Sequence, residues 1–275
     1  MIEFRTAAVV AAALVLALSG CKRKEEAAPG PKGPDGTGSA GAIAVPADAA
    51  APLSFAQKSE HAEVELKLPE AVTGQPDLHA RLYGDGVKEL KAFLEGAQAD
   101  RAELVGEGVP VPTYSRSVEW RAAAETGKLL SLEGLTAEYT GGAHGNSGYA
   151  AVLWDKSLQR AITPSALFRA NADWAALDAA LCRALEAEKT RRLGQPFRFD
   201  ASQPCPSWRE SAYVLAPSAV AGKAGGLTFL YGPYALGAYA EGSYEVTVPL
   251  AAFQAALAPA YADEFAGAPK PRPQG

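Results

Sequence analysis

The sequence is poor in histidine and cysteine, with three of each among 275 residues. His61, His79 and His144 fall in no ligand spacing such as His-x-x-x-His, so no metal site is expected from local sequence. Nucleophile motifs are also missing. Gly145-Asn146-Ser147-Gly148 falls short of Gly-x-Ser-x-Gly, there is no Ser-x-x-Lys box, and no Gly-Lys-Ser/Thr stands before a helix to hold phosphate. No cofactor is expected. Cations are in deficit, 26 Lys and Arg against 31 Asp and Glu, which argues against a nucleic-acid partner because phosphate contacts need clustered positive charge. Carboxylate pairs such as Asp263-Glu264 read as solvated charge rather than a glycosidase dyad.

No apolar run is long enough to cross a bilayer. The longest, Ala7 to Leu18, follows Arg5 and covers about 12 residues where a span takes roughly 20. Its length suits the apolar region of an export signal. Leu18-Ser19-Gly20-Cys21 comes next and matches the lipobox of bacterial lipoproteins. Small residues admit the peptidase, and the thiol is the group that takes a thioether-linked diacylglycerol. The expectation is a signal peptide over residues 1–20, lipidation of Cys21, and stable anchoring by several acyl chains. Lys22 stands where an Asp would signal inner-membrane retention, so outer-membrane sorting is expected, facing periplasm or cell surface.

With Cys21 lipidated, Cys182 and Cys205 remain. In an exported protein they are expected to pair, closing a loop worth roughly 3 kcal/mol in chain entropy. Residues 21–52 are rich in Ala, Gly and Pro and read as a disordered tether with an r.m.s. reach of roughly 30 Å. Residues 263–275 read as a disordered tail.

Between these ends the pattern is α+β with antiparallel sheets: an N-terminal part over 53–156 and a C-terminal part over 157–262, as one interwoven domain or two subdomains. Alternation predicts strands at His61–Leu68, Tyr114–Glu125, Leu129–Tyr139, Gly148–Trp154 and Leu158–Ile162. Leu78 to Leu104 has helical spacing with a break at Gly84-Asp85-Gly86. A helix capped by Asn171 carries Trp174, Leu177, Leu181 and Leu185 on one face and ends with Arg191, Arg192 and Gly194. Strands at Tyr213–Ala216, Leu227–Tyr231 and Tyr244–Val248 follow, then a helix opened by Pro249 with Leu250, Phe253 and Leu257 inward.

Two motifs carry the functional candidates. Thr140-Gly141-Gly142-Ala143-His144-Gly145-Asn146 sets a histidine among glycines, which reads either as a tight strand connection or as a loop that holds an anion or a catalytic His144. Tyr231-Gly232-Pro233-Tyr234 through Tyr239-Ala240-Glu241-Gly242 sets amphipathic rings among turn residues, which reads either as core plugs or as a binding surface. The candidate binding residues are His144, Asn146, Tyr231, Tyr234, Tyr239 and Glu241.

Together with Thr163-Pro164-Ser165-Ala166-Leu167-Phe168 and Val248-Pro249, these motifs resemble the extracellular domain pair of RsiV-like anti-sigma factors and PdaC-like peptidoglycan deacetylases, over about residues 55 to 260. In RsiV-like proteins that region binds lysozyme; in PdaC-like enzymes it precedes a separate catalytic domain. These 275 residues hold neither a transmembrane helix with a sigma-binding segment nor a deacetylase domain, so the resemblance implies the envelope-facing module alone. The expected function is non-enzymatic binding of a protein or a cell-wall glycan, with lysozyme and peptidoglycan as candidate partners. A second reading is an envelope hydrolase using His144.

Overall fold

The structure is a computed structural model and describes residues 51–106 and 111–271. The signal segment, Cys21 and all but the last two residues of the tether lie outside the described residues. No helix among the described residues is long and apolar enough to cross a membrane.

The chain opens with a short hairpin, β1 (Ser54–Lys58) and β2 (Ala62–Lys67). Strand β2 alternates strictly: Ala62, Val64 and Leu66 are buried, while Glu63 and Lys67 face outward. Helix α1 (Pro76–Gly106) then crosses over and returns the chain to β3 (Tyr114–Glu125), which pairs with β2 in parallel. Strands β4 (Leu129–Tyr139), β5 (Asn146–Asp155) and β6 (Arg160–Ile162) complete a six-stranded sheet in sequence order. The other pairings of this sheet are antiparallel, as expected; β2–β3 is its one parallel pair among the described residues.

Helix α1 is unbroken through Gly84-Asp85-Gly86, against expectation. Gly86 has a packing role: a Cβ there would stand 2.9 Å from the Leu66 side chain, which is itself fully buried. The missing side chain lets the helix approach the sheet, and that contact outweighs the intrinsic cost of glycine in a helix, about 1 kcal/mol.

Helix α2 (Ala175–Leu193) and the three-stranded antiparallel sheet β7 (Ala212–Pro217), β8 (Ala224–Tyr231) and β9 (Tyr244–Pro249) form the second half. Leu177, Leu181 and Leu185 present one fully buried stripe of α2, worth about 2 kcal/mol each in apolar burial. They pack with Phe229, Val246, Val248 and Trp208. The helix begins three residues after its expected start. Trp174 occupies the N-cap position, and Asp173 accepts from the Ala175 N–H at 2.9 Å, so Asn171 is not the cap. Gly194, at φ 67°, ends it as expected. The final segment is two 3-10 turns, Leu250–Ala252 and Gln254–Ala256, before the short α3 (Pro259–Ala262), rather than one helix from Pro249.

Strand β4 separates two cores and contributes to both. Leu130 and Leu132 face the α1 side, while Leu129 joins the second core and the Ser131 hydroxyl accepts from the Leu215 N–H of β7 at 3.0 Å. Six consecutive residues from Leu129 to Gly134 are buried, because this strand is covered on both faces. Leu158 is not in a strand. Asp155 accepts from the Ser157 and Leu158 N–H groups, each at 2.9 Å, and the resulting turn leaves Leu158 exposed.

The segment from Asp263, expected to be loose, is packed. Glu264 and Phe265 are buried, Phe265 bridges to Ala224, and Pro269 bridges to Ser218. The Glu264 carboxylate accepts from the Thr126 hydroxyl at 2.6 Å and the Lys128 N–H at 2.8 Å, tying the segment to the β3–β4 turn. Composition hid this because one apolar ring and one buried carboxylate supply the attachment.

Candidate functional site

Two loops meet at one end of the molecule: the β4–β5 connection, with His144, and the β8–β9 connection, with Tyr234 and Tyr239. The first turns tightly because Gly141 and Gly142 take φ of 101° and 88°, a region that costs side-chain-bearing residues energy. His144 is exposed and stacks on Tyr239 with ring centroids 3.6 Å apart and planes 14° from parallel. Its Nδ1 lies 2.9 Å from the Gly145 carbonyl, an acceptor, so Nδ1 carries the proton and donates. Nε2 then accepts from the Tyr234 hydroxyl at 3.3 Å. Tyr239 donates to the same Gly145 carbonyl at 2.9 Å, and the Tyr234 ring lies 5.4 Å from that of Tyr239.

Tyr234 is 58% exposed at φ 68°. A tyrosine in the left-handed region is uncommon, and the surrounding contacts must hold it there.

The β8–β9 loop is anchored from behind by α2. Lys189, 2% exposed, donates to the Leu236 carbonyl at 2.7 Å and to Glu241 Oε2 at 2.8 Å. Glu241 also accepts from the Tyr244 hydroxyl and from the Ala238 N–H. Burial pushes the Glu241 carboxyl up, but these donors and the Lys189 charge outweigh it and hold the group below its ordinary value. Arg192 adds bonds to the carbonyls of Glu241 and Ser243 and covers the Tyr244 ring at 4.0 Å.

The sequence candidates therefore divide. His144, Tyr234 and Tyr239 come together on the surface. Asn146 is exposed beside them, its side chain accepting from the Ser147 N–H at 2.9 Å. Tyr231 and Glu241 leave the set. Tyr231 is a core ring whose hydroxyl meets Ser211 at 2.7 Å, with burial pushing it up to about 12. Glu241 is a loop anchor. Lys189 and Arg192 were missed as anchors. The signal for Lys189 was available: it continues the Leu181–Leu185 spacing, so a cation stands where the buried stripe calls for an apolar residue. Cys182 of α2 and Cys205 are joined by a disulfide with Cα atoms 5.7 Å apart.

Beside the cluster lies an open groove of about 840 Å³ across β1 to β5, with Tyr139, Asn146 and Tyr239 among its lining residues. Chemically the arrangement offers tyrosine rings, serine hydroxyls and charged residues that are paired with one another. No carboxylate among the described residues bonds His144, and none of their His, Cys, Asp and Glu groups is placed to hold a metal.

A family model described as "Deacetylase PdaC" matches residues 55–147, and one described as "Protein of unknown function (DUF3298)" matches residues 165–251. No curated protein matches the chain. Among solved structures, a DUF3298 family member from Bacteroides fragilis is similar at 16% identity and a TM-score of 0.58, over 77% of this chain and 94% of that one. A DUF3298 family protein from Pseudomonas aeruginosa is 16% identical over 78% of this chain and 94% of its own, with a TM-score of 0.47. The first is a likeness of fold. His144 and Asn146 fall within the first family match, Tyr234 and Tyr239 within the second, and the chain carries a PdaC domain followed by a DUF3298 domain.

Proposed function

We propose that this chain is a non-enzymatic envelope lipoprotein, held on the outer membrane by acylated Cys21, whose folded module binds a protein or a cell-wall glycan. Lysozyme and peptidoglycan are the partners to test first. The observation that carries the reading is the braced ring cluster of exposed His144 and Tyr234 with half-buried Tyr239. Tyrosine rings presented rigidly at a surface supply contact area at low entropic cost, as binding sites require. The unfavourable φ of Tyr234 supports a selected role for that ring. The lipobox Leu18-Ser19-Gly20-Cys21 supports the anchor.

The hydrolase reading has less support. The Nδ1 proton of His144 is given to a backbone carbonyl and Nε2 meets a phenol, so the ring lacks the carboxylate that would orient a general base.

Calorimetric titration of the folded module with lysozyme and with peptidoglycan fragments tests the reading. Binding to at least one is expected, weakened tenfold or more by Tyr234→Ala and Tyr239→Ala. No binding to either at high micromolar concentration would overturn it. Mass spectrometry of the membrane fraction should find Cys21 acylated, and Cys21→Ser should release the protein from the membrane.

A further inference from the structure

We infer that the groove across β1 to β5 binds an uncharged glycan chain that lies across the strands and ends against Tyr239. The inference rests on the reading above, that the ring cluster marks the binding site, and assigns the ligand class.

Its first support is the lining. Ser115, Ser117 and Ser147, which the pairing register sets on one face of the sheet, border the groove and contribute hydroxyls, which both donate and accept. Such groups suit a ligand that presents hydroxyls in return. The second support is charge. Among the described residues, the charged ones bordering the groove are already paired. Lys58 holds Glu63, Lys67 holds Glu65 at 2.9 Å, and Arg116 holds Glu138 at 2.8 Å and also Glu89. A strongly charged ligand would have to compete with these pairs; a neutral one leaves them in place.

The third support is shape. Five strands at about 4.8 Å spacing make a trough about 19 Å wide from β1 to β5, longer than a single sugar ring needs. The volume, about 840 Å³, falls in the range of small-ligand sites. At one end Tyr239 is braced by His144 on one face and by its own hydroxyl bond to Gly145, so the ring is fixed before a ligand arrives. Sugar rings carry apolar C–H faces that pack against aromatic rings, and their hydroxyls would meet the polar trough.

The test titrates the folded module with uncharged β-linked N-acetylglucosamine oligomers of two to six units, and separately with lysozyme. Affinity should rise at least tenfold from disaccharide to hexasaccharide. Ser115→Arg and Ala137→Arg, both at exposed positions on the trough, should weaken hexasaccharide binding at least tenfold with unchanged thermal midpoints. Hexasaccharide binding that ignores both variants would overturn the groove assignment. Lysozyme binding that is lost in Tyr239→Ala, with no oligomer binding, would overturn the glycan assignment while leaving the proposed binding function standing. Absence of binding in both titrations would overturn both.

Discussion

Lys189 and Glu241, 52 residues apart, form an ion pair of 2.8 Å in which the lysine side chain is 2% exposed and the glutamate 19%. The pair fastens the β8–β9 loop, with exposed Tyr234 and half-buried Tyr239, to helix α2. Removing one partner of such a pair leaves a charge in a poor solvent, which costs about 3 kcal/mol or more. Glu241→Gln should therefore lower stability in urea by about 3 kcal/mol and weaken ligand binding, while Asp85→Asn, at an exposed ion pair on α1, should change stability by less than about 0.5 kcal/mol.

The same pair sets an acid response. The folded-state pKa of Glu241 lies below its ordinary value of 4.5, so the unfolded chain binds the proton more readily. The contribution is complete above 4.5 and is lost as pH falls through the lower folded value. Urea midpoints measured across that acid range should fall less steeply in Glu241→Gln than in the parent chain.

Tyr234 sits at φ 68°, where glycine is at no disadvantage. Tyr234→Gly should leave stability unchanged or raise it by up to about 1 kcal/mol. It should also weaken ligand binding at least tenfold. A large loss of stability would show instead that the ring serves the fold.

Glu264 accepts from the Thr126 hydroxyl and the Lys128 N–H in a buried position. Glu264→Ala strands both donors and should cost about 2 kcal/mol. Hydrogen exchange should then speed up at Ala266 and Lys270, whose N–H groups bond the carbonyls of Ala224 and Pro217.

The Cys182–Cys205 disulfide closes a separation of 23 residues. Reduction should lower stability by about 3 kcal/mol through the entropy of the unfolded chain. Mass spectrometry without reductant should find neither thiol free to alkylate.

Local pattern revealed most strands, the long helices and the disulfide partners, because alternation, helical spacing and cysteine count are properties of neighbouring residues. It failed where a distant surface decided the outcome. Gly86 looked like a helix breaker and proved to be a gap for Leu66, and no residue near it in sequence carries that information. Tyr231, Tyr234, Tyr239 and Tyr244 looked alike, yet Tyr231 and Tyr244 fill the core while Tyr234 and Tyr239 face outward or to the rim. Tyr231 and Tyr244 end the paired strands β8 and β9, while Tyr234 and Tyr239 sit in the loop between them. The meeting of His144 with Tyr239 was equally hidden, since 95 residues of fold bring the rings together.

That long separation has a bearing on how such a chain is made and inherited. His144 is synthesised before its stacking partner, so the stack cannot form until the second half has been made. Contacts this distant in sequence form late. The His144–Tyr239 stack exists only when both halves are present, because each contributes one of its two rings. A gene rearrangement that exchanged either half alone would pass on a fold without that stack. Descent as an intact pair is the arrangement that preserves it.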